Sequence, residues 1–170
     1  NIHFQNIVAH GQGTSKLQGY PGSPLRNIRM SDIQFFMHPE DQPDKRATHA
    51  LLAEEVQYLS LDRISVDWDE QSPQDEWQSA LYLENVDGLS VDSFRGRSGL
   101  RRASDPVIQL VNVSNAVIRD SEAAEPVAAL IRVSGSRTRK VAVSNIDMLN
   151  RANQKIAISP GVPLEELLLK

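Results

Sequence analysis

The chain has 170 residues, of which 40% are hydrophobic, 24% charged and 5% aromatic, with a formal charge of −4 and no cysteine. The length suits one domain with an ordinary core, and the acidity argues against nucleic acid, whose phosphates select a basic face. Disulfide scaffolds, thiol catalysis and cysteine-ligated zinc are excluded, and no apolar run approaches the roughly 20 residues of a spanning helix, so neither nucleic acid nor membrane is an expected partner.

The first residues, Asn1-Ile2-His3-Phe4, already alternate like a strand. There is no initiator Met, basic n-region or apolar h-region, so the expectation is a segment of a longer protein. From here a pattern recurs: apolar, any residue, apolar, two residues, apolar. It falls at Ile2/Phe4/Ile7, Ile28/Met30/Ile33, Leu59/Leu61/Ile64, Leu89/Val91/Phe94 and Val141/Val143/Ile146, with a weaker copy at Ala116/Ile118/Ser121. Successive copies are separated by 26, 31, 30, 27 and 25 residues. A repeat of that length fits a leucine-rich repeat, a helical repeat or one coil of a parallel β-helix. Two apolar residues two apart, then a third after three residues, describe a strand, a bend and the next strand. No copy sustains the helical period that an ankyrin or tetratricopeptide helix requires. The leucine-rich spacing does not recur either. The β-helix remains.

The corners agree. The residue before each first apolar position is Asn1, Asn27, Tyr58, Gly88, Asn115 or Lys140, and the one before each last is Asn6, Asp32, Arg63, Ser93, Asp120 or Asn145. Asn, Asp and Gly tolerate the left-handed backbone that a tight corner demands, so a positive φ is expected at Asn27, Gly88 and Asn115. A second strand family, Leu81/Leu83, Ile108/Leu110 and Ile131/Val133, precedes some copies. The reading is therefore an all-β parallel β-helix of about six coils over residues 1–150. Residues 151–170 are expected to cap it, with Leu164, Leu167 and Leu168 on one helical face or in a last strand.

Between the copies, Met37 to Thr48 and Asp67 to Ser79 are polar, Pro-containing and without period. Loops inserted on one face of a solenoid are where such proteins place function. The later loop sets Asp67, Asp69, Glu70, Asp75 and Glu76 among Trp68 and Trp77. Trp68 or Trp77 can stack on a sugar ring while Asp69 and its neighbours bond hydroxyls; clustered carboxylates also suit calcium. The bland reading is a solvated acidic loop pinned by one Trp. The earlier loop holds Lys45, Arg46 and His49, a compact basic cluster able to meet a uronate carboxylate or to pair with Glu40, Asp41 or Asp44. Arg95, Arg97, Arg101 and Arg102 read as a solvated turn. His3, His10, His38 and His49 lack metal-ligand spacing, so no metal and no cofactor is expected.

Asn1-Ile-His-Phe-Gln-Asn-Ile7 and Leu17-Gln-Gly-Tyr-Pro-Gly-Ser-Pro-Leu-Arg-Asn-Ile-Arg-Met30 resemble the C-terminal coils of polygalacturonase-like proteins, glycoside hydrolase family 28. Leu81-Tyr-Leu-Glu-Asn-Val-Asp-Gly-Leu89 and Ile108-Gln-Leu-Val-Asn-Val113 are similar to its later coils. The resemblance implies a right-handed helix, a secreted or periplasmic protein and inverting cleavage of pectin-like polysaccharides. The family's Asn-Thr-Asp, Asp-Asp, Gly-His-Gly and Arg-Ile-Lys signatures are absent, so no catalytic residue is carried over. The expectation is the C-terminal part of a longer carbohydrate-active β-helix with its catalytic coils upstream; a non-catalytic binding or structural module is the alternative. Expected partners are a polysaccharide or oligosaccharide, uronic-acid-containing ones included, and upstream coils or another chain at the N-terminal end.

Overall fold

The computed structural model describes residues 1–41, 45–100 and 105–169. It is a right-handed parallel β-helix of about six turns. In chain order the strands are β1 (Ile2–Gly11), β2 (Ser15–Gln18), β3 (Leu25–Met37), β4 (Leu51–Trp68), β5 (Leu81–Asp92) and β6 (Arg95–Gly96). They continue as β7 (Ile108–Val111), β8 (Ser114–Arg119), β9 (Glu122–Ala123), β10 (Val127–Ser134), β11 (Arg139–Ser144), β12 (Ala152–Ile158) and β13 (Leu167–Leu169). The longer strands bend around the solenoid and serve two or three faces in turn.

The repeat sets the register. Ile2 pairs with Ile28, Ile28 with Leu59, Leu59 with Leu89, Leu89 with Ala116, Ala116 with Val141, and Val141 with Leu167. All pairs are parallel, and the copies stack as consecutive coils. The strand family at Leu81/Leu83 makes a second face, running from Leu51 and Ala53 through Ile108 and Leu110 to Ile131 and Val133. The third face stacks Ile7 on Ile33 and Ile33 on Ile64, and ends in the short pairs Val66–Gly96 and Gly96–Ala123. Alternate residues point inward. Ile28, Ile33, Leu59, Leu61, Ile64, Leu89, Val91, Ile118, Val141 and Val143 are accordingly buried in one continuous core. A fully buried Leu or Ile contributes roughly 1.5–3 kcal/mol relative to exposure, and each coil supplies several.

Every expected corner has the left-handed backbone. Asn27, Tyr58, Gly88, Asn115 and Lys140 have φ of 55°, 61°, 76°, 53° and 51°. Asn6, Asp32, Arg63, Ser93, Asp120 and Asn145 form an equivalent column with φ between 48° and 56°. A third column, Glu55, Asn85 and Asn112, turns the Leu81-type face toward the Leu59-type face at φ of 51–53°. Their side chains bond from coil to coil: Asn115 donates to Asp87 at 2.6 Å, Asn85 to Glu55 at 2.8 Å, and Asn145 to Asp120. Where the ladder holds Arg63, the bond becomes an ion pair with Asp32 at 2.6 Å, and beside the same column Arg119 pairs with Asp92 on the neighbouring strand at 2.6 Å. The guanidinium beside Asp32 holds that carboxyl below the usual range.

Residues 151–169 close the described end of the solenoid with strands, and Val162 joins the core. β12 pairs with β10, and β13 pairs with β11, so the segment adds one more rung to two faces. The helical face expected over Leu164 to Leu168 shrinks to a single 3-10 turn, Leu164–Glu166, because Pro163 precedes it in extended backbone and Leu167 is already extended. Leu164 and Leu168 remain exposed. At the opposite end β1 pairs only with β3, which leaves its outer edge open among the described residues and Ile2 48% exposed where Ile28, one rung on, is 2%.

Candidate functional site: the loop-bearing edge

The third face ends along one edge, and the chain leaves it there through segments 38–50, 69–80 and 97–100. Their placement answers the two loop readings differently. Trp68 is not a sugar platform. It continues the inward alternation Ile64, Val66, Trp68, pairs with Met37, and is 4% exposed. Its indole N–H donates to the Arg97 carbonyl at 3.0 Å. Trp77 is fully buried, its ring tilted against Trp68 with centroids 5.0 Å apart. Neither Trp68 nor Trp77 presents an exposed ring for stacking on a sugar: both indoles belong to the core. Gly99 lies so close to Trp77 that an added Cβ would sit 2.5 Å from the Trp77 Cβ.

The basic cluster also dissolves. His49 is 6% exposed and stacks on Tyr82 with centroids 4.7 Å apart, Nδ1 lying 3.3 Å from the Ser79 carbonyl. Burial pushes its pKa down to about 4, although that bond and Asp105 act in the opposite direction. It is a neutral core residue near pH 7. Burial, helped by Glu84, pushes its neighbour Tyr82 up to about 12. Arg46 uses its backbone N–H, which donates to Glu40 Oε2 at 2.7 Å, as does that of Ala47 at 2.8 Å. Glu40 therefore shapes the loop. Lys45 lines a shallow cleft of about 470 Å³ shared with Glu40, Gln74, Asp75 and Glu76. Asp44, Arg101 and Arg102 lie outside the described residues.

Arg97 departs furthest from its expectation. It is 6% exposed, and its guanidinium donates to the carbonyls of Ser98, Gly99 and Trp68 at 2.9–3.1 Å. Glu70 and Glu125 stand 3.7 and 3.6 Å away. Arg97 thus ties the end of the third face to the loop that follows. It also floors a cleft of about 550 Å³ lined by Asp69, Glu70, Pro73, Asp75, Gly99 and Leu100. Asp69 Oδ1 accepts from the backbone N–H groups of Gln71 and Ser72 at 2.8 and 3.0 Å, which folds the start of the acidic loop as an Asx turn. The Asp75 and Pro73 side of that loop faces both clefts, one on each side. Such a surface offers the carboxylates of Asp69, Glu70 and Asp75 to a ligand's hydroxyls, with the Arg97 guanidinium committed to backbone carbonyls beneath them.

Sequence reasoning missed two features here. Arg97 looks solvated in a Gly-flanked basic stretch, and only the meeting of three loops buries it. His10 and His38 are 28 residues apart, yet the coil brings their rings together, with centroids 5.4 Å apart. The separation lies within the range of the repeat itself, which is the signal that finds them. Among the described residues no group of three or more His, Asp or Glu side chains converges on a metal position, and no helix is long and apolar enough to cross a membrane. No protein-family model, curated protein or solved structure matches the chain.

Proposed function

We propose that this chain is part of a carbohydrate-active β-helix of the polygalacturonase type, and that its loop-bearing edge contributes one wall of a saccharide groove. The observation that carries this reading is the cleft of about 550 Å³ that Asp69, Glu70 and Asp75 line together with the buried Arg97. Carboxylates bond sugar hydroxyls in pairs, and a rigid solenoid holds them without ordering cost at the moment of binding. In this reading binding is polar rather than stacked, since both indoles belong to the core. Hydrolysis by inversion needs two carboxyls roughly 6.5–9.5 Å apart with one held protonated. The family's signatures for that pair are absent here, so cleavage belongs to coils outside these residues. A non-catalytic saccharide-binding module is the second reading, favoured by the use of both tryptophans in packing.

The test is titration of the purified chain with neutral and uronic oligosaccharides, followed by nuclear magnetic resonance or calorimetry. Saturable binding that Asp75→Asn weakens several-fold supports the reading. Absence of binding to every sugar class at millimolar concentration overturns it. Polygalacturonate turnover by the chain alone would move the cleaving acids into the 69–76 loop.

A further inference from the structure

His10 lies next to the end of β1 and pairs in register with Phe36, while the backbone N–H of His38 donates to the Gly11 carbonyl at 2.8 Å. The His10 ring stacks on Phe36 at a centroid distance of 4.7 Å and an interplanar angle of 11°, and lies near-parallel to His38 at 5.4 Å and 12°. The 5.4 Å centroid distance sets the two imidazoles edge to edge, each ring presenting a nitrogen to the other. In this arrangement His10 Nδ1 and His38 Nε2 are 3.1 Å apart. One coil later, Asp69 Oδ2 stands 4.0 Å from the other His38 nitrogen, Nδ1. The His38 and Asp69 side chains are 44% and 28% exposed, so the group opens to solvent.

We propose that His10 and His38 chelate a divalent zinc-class metal ion at the rim of the loop-bearing edge, with Asp69 as the positioning residue behind His38. Two nitrogens bound to one tetrahedral zinc at about 2.0–2.1 Å are separated by roughly 3.3 Å. The observed separation is within a few tenths of an ångström of this, and each ring must turn by roughly 35° so that the two lone pairs, which now face each other, converge on one ion. Without metal, one neutral imidazole donates its proton to the other; with metal, that hydrogen bond is replaced by two coordinate bonds and the proton moves to the far ring nitrogen. On His38 that far nitrogen stands 4.0 Å from Asp69 Oδ2, which closes to hydrogen-bond distance when it fixes the tautomer and raises the basicity of the metal-bound histidine. Two protein ligands leave the remaining positions to water. The inference needs no sugar and is independent of the saccharide reading.

The test is calorimetric titration of the full chain with zinc chloride in a non-chelating buffer, with the histidine ring resonances followed in parallel. The expected result is saturable binding of one ion per chain, with shifts at His10 and His38. His10→Ala and His38→Ala should each abolish it, and Asp69→Asn should weaken it roughly tenfold. His3→Ala should leave it unchanged, because His3 Nε2 is engaged 3.1 Å from the Ser31 hydroxyl in another part of the coil. Both key histidines are outward-facing, so the variants are expected to fold, which thermal melting verifies. No saturable zinc binding in the native chain, or binding that survives His10→Ala in a folded variant, would overturn the proposal.

Discussion

His49 gives the structure a pH dependence that can be calculated. Its pKa in the folded chain is about 4, against 6.5 when exposed, chiefly because burial penalises the imidazolium. The unfolded chain therefore binds a proton between these values that the folded chain does not. Stability is intact above pH 6.5, falls as the pH drops below it, and stops falling from this source near pH 4. Two and a half units at about 1.4 kcal/mol each give roughly 3 kcal/mol at full extent. The lowered carboxyls of Asp32 and Asp87, the latter held down by bonds from Ser114 and Asn115, lose stability in the same direction as they protonate. Total acid lability thus cannot isolate His49. The appropriate comparison is with His49→Phe, which keeps a ring against Tyr82 and cannot titrate. At pH 7.5 the variant should be less stable by about 1 kcal/mol for the lost bond to Ser79. Urea unfolding from pH 7.5 to 4.5 should then show the variant losing about 2–3 kcal/mol less than the native chain. Parallel stability curves for the two proteins across that range would refute the assignment of His49 as a buried neutral residue.

Other consequences are equally direct. Asn27→Val places a β-branched residue at φ of 55° and should cost on the order of 1–2 kcal/mol in denaturant unfolding. Gly135→Ala should cost about 2 kcal/mol or more, since the residue has φ of 90° and a new Cβ would collide with the backbone and side chain of Asn112. Arg63→Ala and Arg97→Ala should separate sharply: loss of the exposed pair with Asp32 should leave stability nearly unchanged, whereas loss of the buried Arg97 should cost about 3 kcal/mol or more in thermal melting. The open edge of β1 should make the chain associate with rising concentration and bind an apolar dye; light scattering showing a dye-free monomer at all concentrations would exclude that.

The sequence alone carried the solenoid, because a strand that stacks on a copy of itself repeats its inward pattern at the coil length. Ile28, Leu59, Leu89, Ala116 and Val141 share one phase, and that phase became the pairing register. The corners were legible at Asn27, Asp32 and Asn115 for the same reason, since few side chains accept a left-handed backbone. They were less legible at Tyr58, Arg63 and Lys140, where stacking overrides propensity. The strand phase of Trp68 could also be read from Ile64 and Val66. The burial of Trp77, His49 and Arg97 could not. Each sits in a loop without period, and its environment is assembled from positions the repeat does not relate: Trp68 for Trp77, Tyr82 for His49, and the carbonyls of Trp68, Ser98 and Gly99 for Arg97. The same holds for His10, His38 and Asp69, unremarkable along the chain and adjacent only after coiling. Periodicity encodes contacts between equivalent positions, whereas a site made from non-equivalent positions on successive coils exists only once the solenoid has closed its turns.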